Sequence, residues 1–288
     1  MIRPNSQTLT VAKPEYAPYG LLSPAVKVAN LDSDWWLGGA IHELYDGGIS
    51  YSVLADQGFD ADDTIREMVT PELGDTRFVH ILPVTIETRV RSSTVGTTMD
   101  DLRKMAEDAI ELVTQKALEE AFWEYLGSKY RSLANNTSDD SDDVERTVVS
   151  SSPVSSKRAQ ALLEGAVADN TVGYQPTLHL PRIVASGLEL KEDDDKALKT
   201  VLGSYVVAGS GYSSKDQKGS ELPDGQRVAY ATGPVTVILG SDVLLPTDIP
   251  QAVNTANNVA EFFVQKPAMI AFSTKDVFSV LVDPTLDF

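Results

Sequence analysis

Cysteine is missing from the 288 residues, so neither a disulfide nor a thiolate metal site can contribute. Histidine is scarce: His42, His80 and His179 stand far apart, with no H-E-x-x-H and no paired-ligand spacing. No run of about 18 apolar residues occurs, which excludes a membrane-spanning helix. The opening MIRPNSQTLT lacks the apolar stretch of a secretory signal, so synthesis inside the cell is expected. The nucleophile elbow G-x-S-x-G and the phosphate loop G-x-x-x-x-G-K-[ST] are both absent. Gly209-Ser210-Gly211 lacks the rest of a dinucleotide fingerprint. The reading therefore names no catalytic, no cofactor-binding and no metal residue, and it expects no enzyme. Cations are also short: 24 Lys and Arg face 42 Asp and Glu, a net charge of −18. Such a surface does not wrap nucleic acid or settle on an anionic membrane. It is compatible with merely enclosing nucleic acid, because an acidic lining does not stick to packed DNA.

What the chain does contain is globular in composition, with 42% hydrophobic and 23% charged residues. Its length suits one large domain or two ordinary ones. The strongest local signal is TTMDDLRKMAEDAIELVTQKALEEAFWEYLGSKYRSLA, residues 97–134. Thr98 is a natural N-cap, and Asp100 and Asp101 oppose the positive helix end. Leu102, Ala106, Ala109 and Val113 form one stripe, and Gly127 is the expected stop. The spacing predicts a helix of roughly 40 Å. Its first half has one apolar stripe. The second half adds Leu118, Ala121, Phe122, Trp123 and Tyr125 in several directions, so it should be enclosed.

Residues 1–33 carry Pro4, Pro14, Pro18 and Pro24 and read as an extended arm with Leu21, Leu22, Val26 and Val28 as anchors. Two β segments are expected around the turn Tyr45-Asp46-Gly47-Gly48. Adjacent Trp35 and Trp36 would then point to opposite faces, one of them toward a partner subunit or under its own domain. Residues 77–91 read as strand with Pro83 at a bend or an edge. Residues 135–152 read as a polar loop. Its Asp139, Asp140, Asp142 and Asp143 lack the Gly and Glu that a calcium-binding EF-hand loop needs, and fit a solvated turn. A helix is expected at 155–168, strands at 177–180, 204–208, 227–232, 234–239, 259–265, 268–272 and 277–282, and a short helix at 189–200. His179 lies inside an apolar strand and reads as a satisfied core or interface histidine.

The order of elements carries more than any motif. It runs arm, Trp-bearing hairpin, strand, long helix ending E-x-A-F-W-E-Y-L-G, polar loop, then a mixed domain. That last domain contains Gly209-Ser210-Gly211-Tyr212 and Ala231-Thr232-Gly233-Pro234-Val235. Over roughly residues 20–288 this resembles the major capsid protein of a tailed double-stranded-DNA bacteriophage of the Hong Kong 97 type. The likeness is greatest to the short capsid proteins of actinobacterial phages. The resemblance implies an α+β fold with an N-arm at 1–33 and an E-loop hairpin at 34–70. It implies a P-domain with a long spine helix at 71–150 and 241–270, and a mixed A-domain at 151–240 and 271–288. It implies self-assembly into hexamers and pentamers of an icosahedral shell around phage DNA, in the virion, after synthesis in the host cytoplasm.

The expected partners are other copies of the chain, a portal, a separate scaffolding protein and a cementing protein, with no membrane. The stretch before the E-loop is too short for a large fused scaffold, and Met1 suggests an untrimmed arm. Two other readings stand beside this one: an encapsulin-like compartment, and a hydrolase using carboxylates, although nothing in the sequence selects a carboxylate pair.

Overall fold

The computed structural model describes residues 17–31, 40–44, 77–81, 84–93, 98–123, 133, 146–171, 174–212, 214–215, 220–223, 225–247, 252–254, 258–272 and 276–287. In chain order the strands are β1 (Lys27–Leu31), β2 (Ala40–Leu44), β3 (Arg77–Ile81), β4 (Val84–Ser93), β5 (Arg146–Val154), β6 (Thr177–Pro181), β7 (Lys191–Glu192) and β8 (Leu198–Lys199). They continue as β9 (Tyr205–Gly209), β10 (Arg227–Thr232), β11 (Thr236–Gly240), β12 (Val243–Leu245), β13 (Val253–Asn254), β14 (Val259–Ala271) and β15 (Val277–Val282). The helices are α1 (Met99–Trp123), α2 (Ser156–Asn170) and α3 (Arg182–Ala185). Among the described residues no helix is long and apolar enough to cross a membrane.

The expected helix starts are found. The Thr98 hydroxyl oxygen accepts the Asp101 N–H at 3.1 Å, and the hydroxyl donates to the Asp101 carboxylate at 2.7 Å. Ser155 caps α2 by accepting the Arg158 N–H at 3.4 Å. Along α1 only one stripe is covered at first, Leu102, Ala106 and Ile110. From Thr114 onward the buried set widens to Gln115, Leu118, Glu119, Phe122 and Trp123. The expected end at Gly127 lies outside the described residues, but the Phe122 carbonyl is already satisfied by the Leu133 N–H at 2.7 Å.

Two sheets carry the fold. In the first, β14 is the centre: β4 lies antiparallel along one edge, from Ser93 opposite Val259 to Val84 opposite Ala268. On its other edge β13, β12 and β11 follow one another, and β1 adds in parallel beyond β11. The second sheet has the order β5-β15-β10-β6-β9-β8-β7. A separate ribbon pairs β2 with β3. Alternation along β10 shows how the layers stack: Val228 and Tyr230 enter the core shared with α1 and the first sheet, while Ala229 and Ala231 enter a second core under α2. The central strands β15, β10, β6 and β9 of the second sheet are thus buried on both faces, which explains their nearly continuous apolar sequence.

Three expectations are corrected. Residues 189–200 form the β7–β8 hairpin, because the Asp193 carboxylate captures the N–H groups of Asp195 (3.1 Å) and Ala197 (2.8 Å) and competes with a helical turn. The polar loop ends sooner: β5 begins at Arg146, and pairing with β15 overrides its serine-rich composition, which suits its largely exposed edge position. The strands at 259–265 and 268–272 are one, β14. Pro267 falls where its neighbour changes from β12 to β11, a gap that tolerates a missing N–H. The described partner of β2 is β3; the expected turn at Tyr45–Gly48, like Trp35 and Trp36, lies outside the described residues.

Trp123 is the largest fully buried side chain among the described residues, stacked on Tyr212 with ring centres 4.2 Å apart and edge-on to Tyr230 at 4.7 Å. Trp123→Ala should lower subunit stability by about 3–5 kcal/mol in urea titration. A loss under about 1 kcal/mol would show that this end of α1 is not core.

Candidate functional site

The polar centre of the molecule is built on Glu119, a carboxylate with no exposed surface on the enclosed half of α1. Its Oε1 accepts the Leu21 N–H at 3.0 Å. Its Oε2 accepts the N–H groups of Ser210 at 2.7 Å and Gly211 at 2.8 Å, and the Ser210 hydroxyl at 3.2 Å. One turn earlier, Gln115 donates to the Ala17 carbonyl at 2.8 Å. Both approaching backbones need glycine. A Cβ on Gly211 would lie 2.5 Å from the Lys116 carbonyl oxygen, and one on Gly20 would lie 2.2 Å from Gln115 and Glu119 side-chain atoms. The turn at 17–26 is held to the second sheet as well: the Ala208 N–H donates to the Tyr19 carbonyl at 2.7 Å, and Arg182 donates to the Pro18 carbonyl. Burial pushes the Glu119 carboxyl pKa up; the Gly211, Leu21 and Ser210 donors pull it back without cancelling that shift.

Beside this junction lies His179, fully buried in β6. Its Nε2 is 3.0 Å from the Thr232 hydroxyl, and its Nδ1 is 3.2 Å from the Tyr212 hydroxyl. The Thr232 hydroxyl donates to the Gly233 carbonyl at 2.8 Å, so it accepts from His179, and the network assigns the proton to Nε2. Nδ1 then accepts from Tyr212. Phe122 meets the imidazole edge-on at 5.0 Å. Burial holds the His179 pKa down at about 3, so the ring is neutral. Burial, and then the Glu119 charge, push Tyr212 well up, so it stays a donor. Glu119 and His179 are buried and hydrogen-bonded within the protein, and the cluster braces three chain segments.

No family model matches the sequence, and no curated protein matches it. Solved structures do match in fold. The capsid of an empty GTA particle, computed with C5 symmetry, superposes with a TM-score of 0.57 at 11% identity, over 98% of this chain and 95% of that one. A chain of Gordonia phage Cozz gives 0.55 at 9% identity, over 98% and 91%. The holo-SrpI encapsulin of Synechococcus elongatus gives 0.50 at 10% identity, over 96% and 92%. The fold is the Hong Kong 97 type.

Within this Hong Kong 97-like fold the residues singled out by sequence divide cleanly. His179 is the satisfied core histidine expected. His42 and His80 fall on one ribbon, opposite Val79 and Ile41 respectively, away from His179 in the second sheet. Asp139, Asp140, Asp142 and Asp143 lie outside the described residues. Among the described residues no group of three or more His, Asp or Glu could hold a metal. Sequence reasoning missed Glu119 and Gln115. Their signal was available: two polar residues at i, i+4 on the helix half expected to be enclosed must find buried partners. Gly209-Ser210-Gly211, dismissed as half a nucleotide fingerprint, does present backbone N–H groups to an anion, and the anion is the protein's own carboxylate.

Glu119→Gln turns an amide NH2 toward two backbone donors. It should cost about 2–4 kcal/mol in denaturant titration, with the helix content of the folded state unchanged. A neutral outcome would show that the carboxylate charge is not needed there. For His179 the folded pKa lies below the ordinary 6.5, so its contribution is present above pH 6.5 and lost as pH falls toward 3. The stability margin of wild type over His179→Gln should shrink by about 1.4 kcal/mol per pH unit in that window. A margin independent of pH would mean that the imidazole is not buried neutral.

Proposed function

We propose that the chain is the major capsid protein of a tailed bacteriophage, a structural subunit that assembles into hexamers and pentamers of an icosahedral shell enclosing DNA. The observation that carries this reading is likeness of fold along the whole chain to capsid subunits, with 98% of this chain and 95% of the GTA capsid chain aligned. The sealed polar centre and the net charge of −18 agree with a wall that encloses DNA and binds none of it. We take α1 and the first sheet as the P-domain, and α2 and the second sheet as the A-domain. Sheet membership of β5 and β11 favours boundaries near residues 146 and 235. The N-arm at 1–33 and the E-loop at 34–70 complete the subunit. A portal, a scaffolding protein and a cementing protein are the further partners this role calls for. The encapsulin likeness supports a second reading, a DNA-free compartment.

Electron microscopy of the purified protein separates the readings: a DNA-packaging shell in the infected host, a small cargo shell, or no shell. The shell should be held by non-covalent contacts alone. No Lys occurs between Lys27 and Lys104, so the E-loop has no amine to form the Lys–Asn isopeptide bond known in some members of the resembled family. Arginine stays protonated and does not replace it. Boiled in detergent, particles should give one band near 31.1 kDa. A ladder of covalent multimers would overturn this.

A further inference from the structure

One side of α1 changes its cover half-way along. Asp101, Met105, Asp108, Leu112, Gln115 and Glu119 follow one another there at spacings of four and three residues. The arm turn covers the last two: Gln115 donates to the Ala17 carbonyl at 2.8 Å, and Glu119 accepts the Leu21 N–H at 3.0 Å. Toward the start of the helix that cover ends. Met105 is 52% exposed and Leu112 is half-buried, and among the described residues both lie outside the two apolar cores. The two arm contacts also fix a direction. Going back from Leu21 to Ala17, the arm steps from Glu119 to Gln115. The chain that precedes Ala17 therefore arrives from the side of Leu112.

We infer that residues 9–16, LTVAKPEY, lie extended along this side of α1 and cover Leu112 and Met105. The inference concerns the subunit itself and does not depend on the shell reading. Reach allows it. From Gln115 back to Asp101 the helix runs about 21 Å. Eight extended residues span roughly 26 Å. Pro14 needs no donor and biases Lys13 toward an extended backbone. In an extended run Leu9, Val11 and Lys13 share one side. Counted back from Ala17, Lys13 comes near Asp108 and Val11 near Met105. Charge favours this occupant as well. In a chain of net −18, residues 1–16 carry Arg3 and Lys13 against Glu15 alone. The first half of α1, from Met99 to Glu111, carries five carboxylates against Arg103 and Lys104. Most of this acidic chain would be repelled there, whereas a weakly cationic segment with alternating apolar residues is attracted.

The chain has no cysteine, so paired substitutions report the contact directly. In the full chain, oxidised Val11→Cys/Met105→Cys should close an intrachain disulfide about tenfold or more faster than Val11→Cys/Glu107→Cys, because docking raises the effective concentration. Glu107 is exposed on the opposite side of α1, and melting curves confirm that both pairs fold. Equal closing rates would mean that the segment does not dock on this side, and would overturn the inference. A covalent dimer of the Met105 pair, at twice 31.1 kDa, would place another copy's arm there and overturn it too. Amide exchange without any cysteine gives a second reading. Residues 9–16 should exchange about tenfold faster in Lys13→Glu than in wild type, and high salt should narrow that difference from the wild-type side. Equally fast exchange in both at low salt would count against docking.

Discussion

A carboxylate with no water around it must take its hydrogen bonds from whatever chain lies nearest, and Glu119 is in that position. Helix α1 cannot supply them, because its own N–H groups there are committed within the helix. The donors come from the arm turn at Leu21 and from the turn at Ser210 and Gly211. Each bond to a charged group contributes about 1.5–3 kcal/mol, and each donor left behind would be buried without a partner. Pulling the arm away therefore disturbs the spine helix and the second sheet together. The arm turn ties both sheets into one body: it binds Glu119 and Ala208, then runs on as β1 in the first sheet.

The second sheet carries that tie across to the layer of α2. Its strands separate two cores with a period of two residues, so a slip of one position would exchange Tyr230 for Ala229 and empty one core while overfilling the other. Register is thereby pinned, and with it the position of His179 opposite Tyr230 and next to Val207 in β9. The imidazole's two bonds reach Tyr212 and Thr232, on either side of the sheet's central strands. The histidine network and the carboxylate junction share Tyr212, whose ring also covers Trp123. The end of α1 is thus enclosed by the same residues that the junction positions.

Periodicity made much of this legible. Both main helices, the helix cap at Thr98 and the apolar strands of the second sheet follow from spacing alone, because each buries a face whose period the sequence repeats. The failures have a common cause. At 189–200 a side-chain turn at Asp193 beats helix propensity, and Lys196 at φ +62° records the outcome. At 146–154 and across Pro267, distant strands set the structure, and local composition carries no trace of them. Glu119 was invisible for the same reason: its partners stand about ninety residues away on either side. The glycines that admit those partners look like ordinary loop residues until the helix is placed against them.

Surface charge closes the argument. The described ion pairs Arg103–Glu107, Lys116–Glu120 and Lys157–Glu189 are exposed, and pairs of that kind add little. The fold is held by its apolar layers and by the buried carboxylate. The sequence also carries a large surplus of carboxylates over cations. On the capsid reading, that surplus keeps a polyanionic genome from adhering to the wall. The same surplus sets copies of the chain against one another within about a Debye length of contact. A shell made of such subunits needs contacts that outweigh this repulsion, either apolar surface or patches of opposite charge.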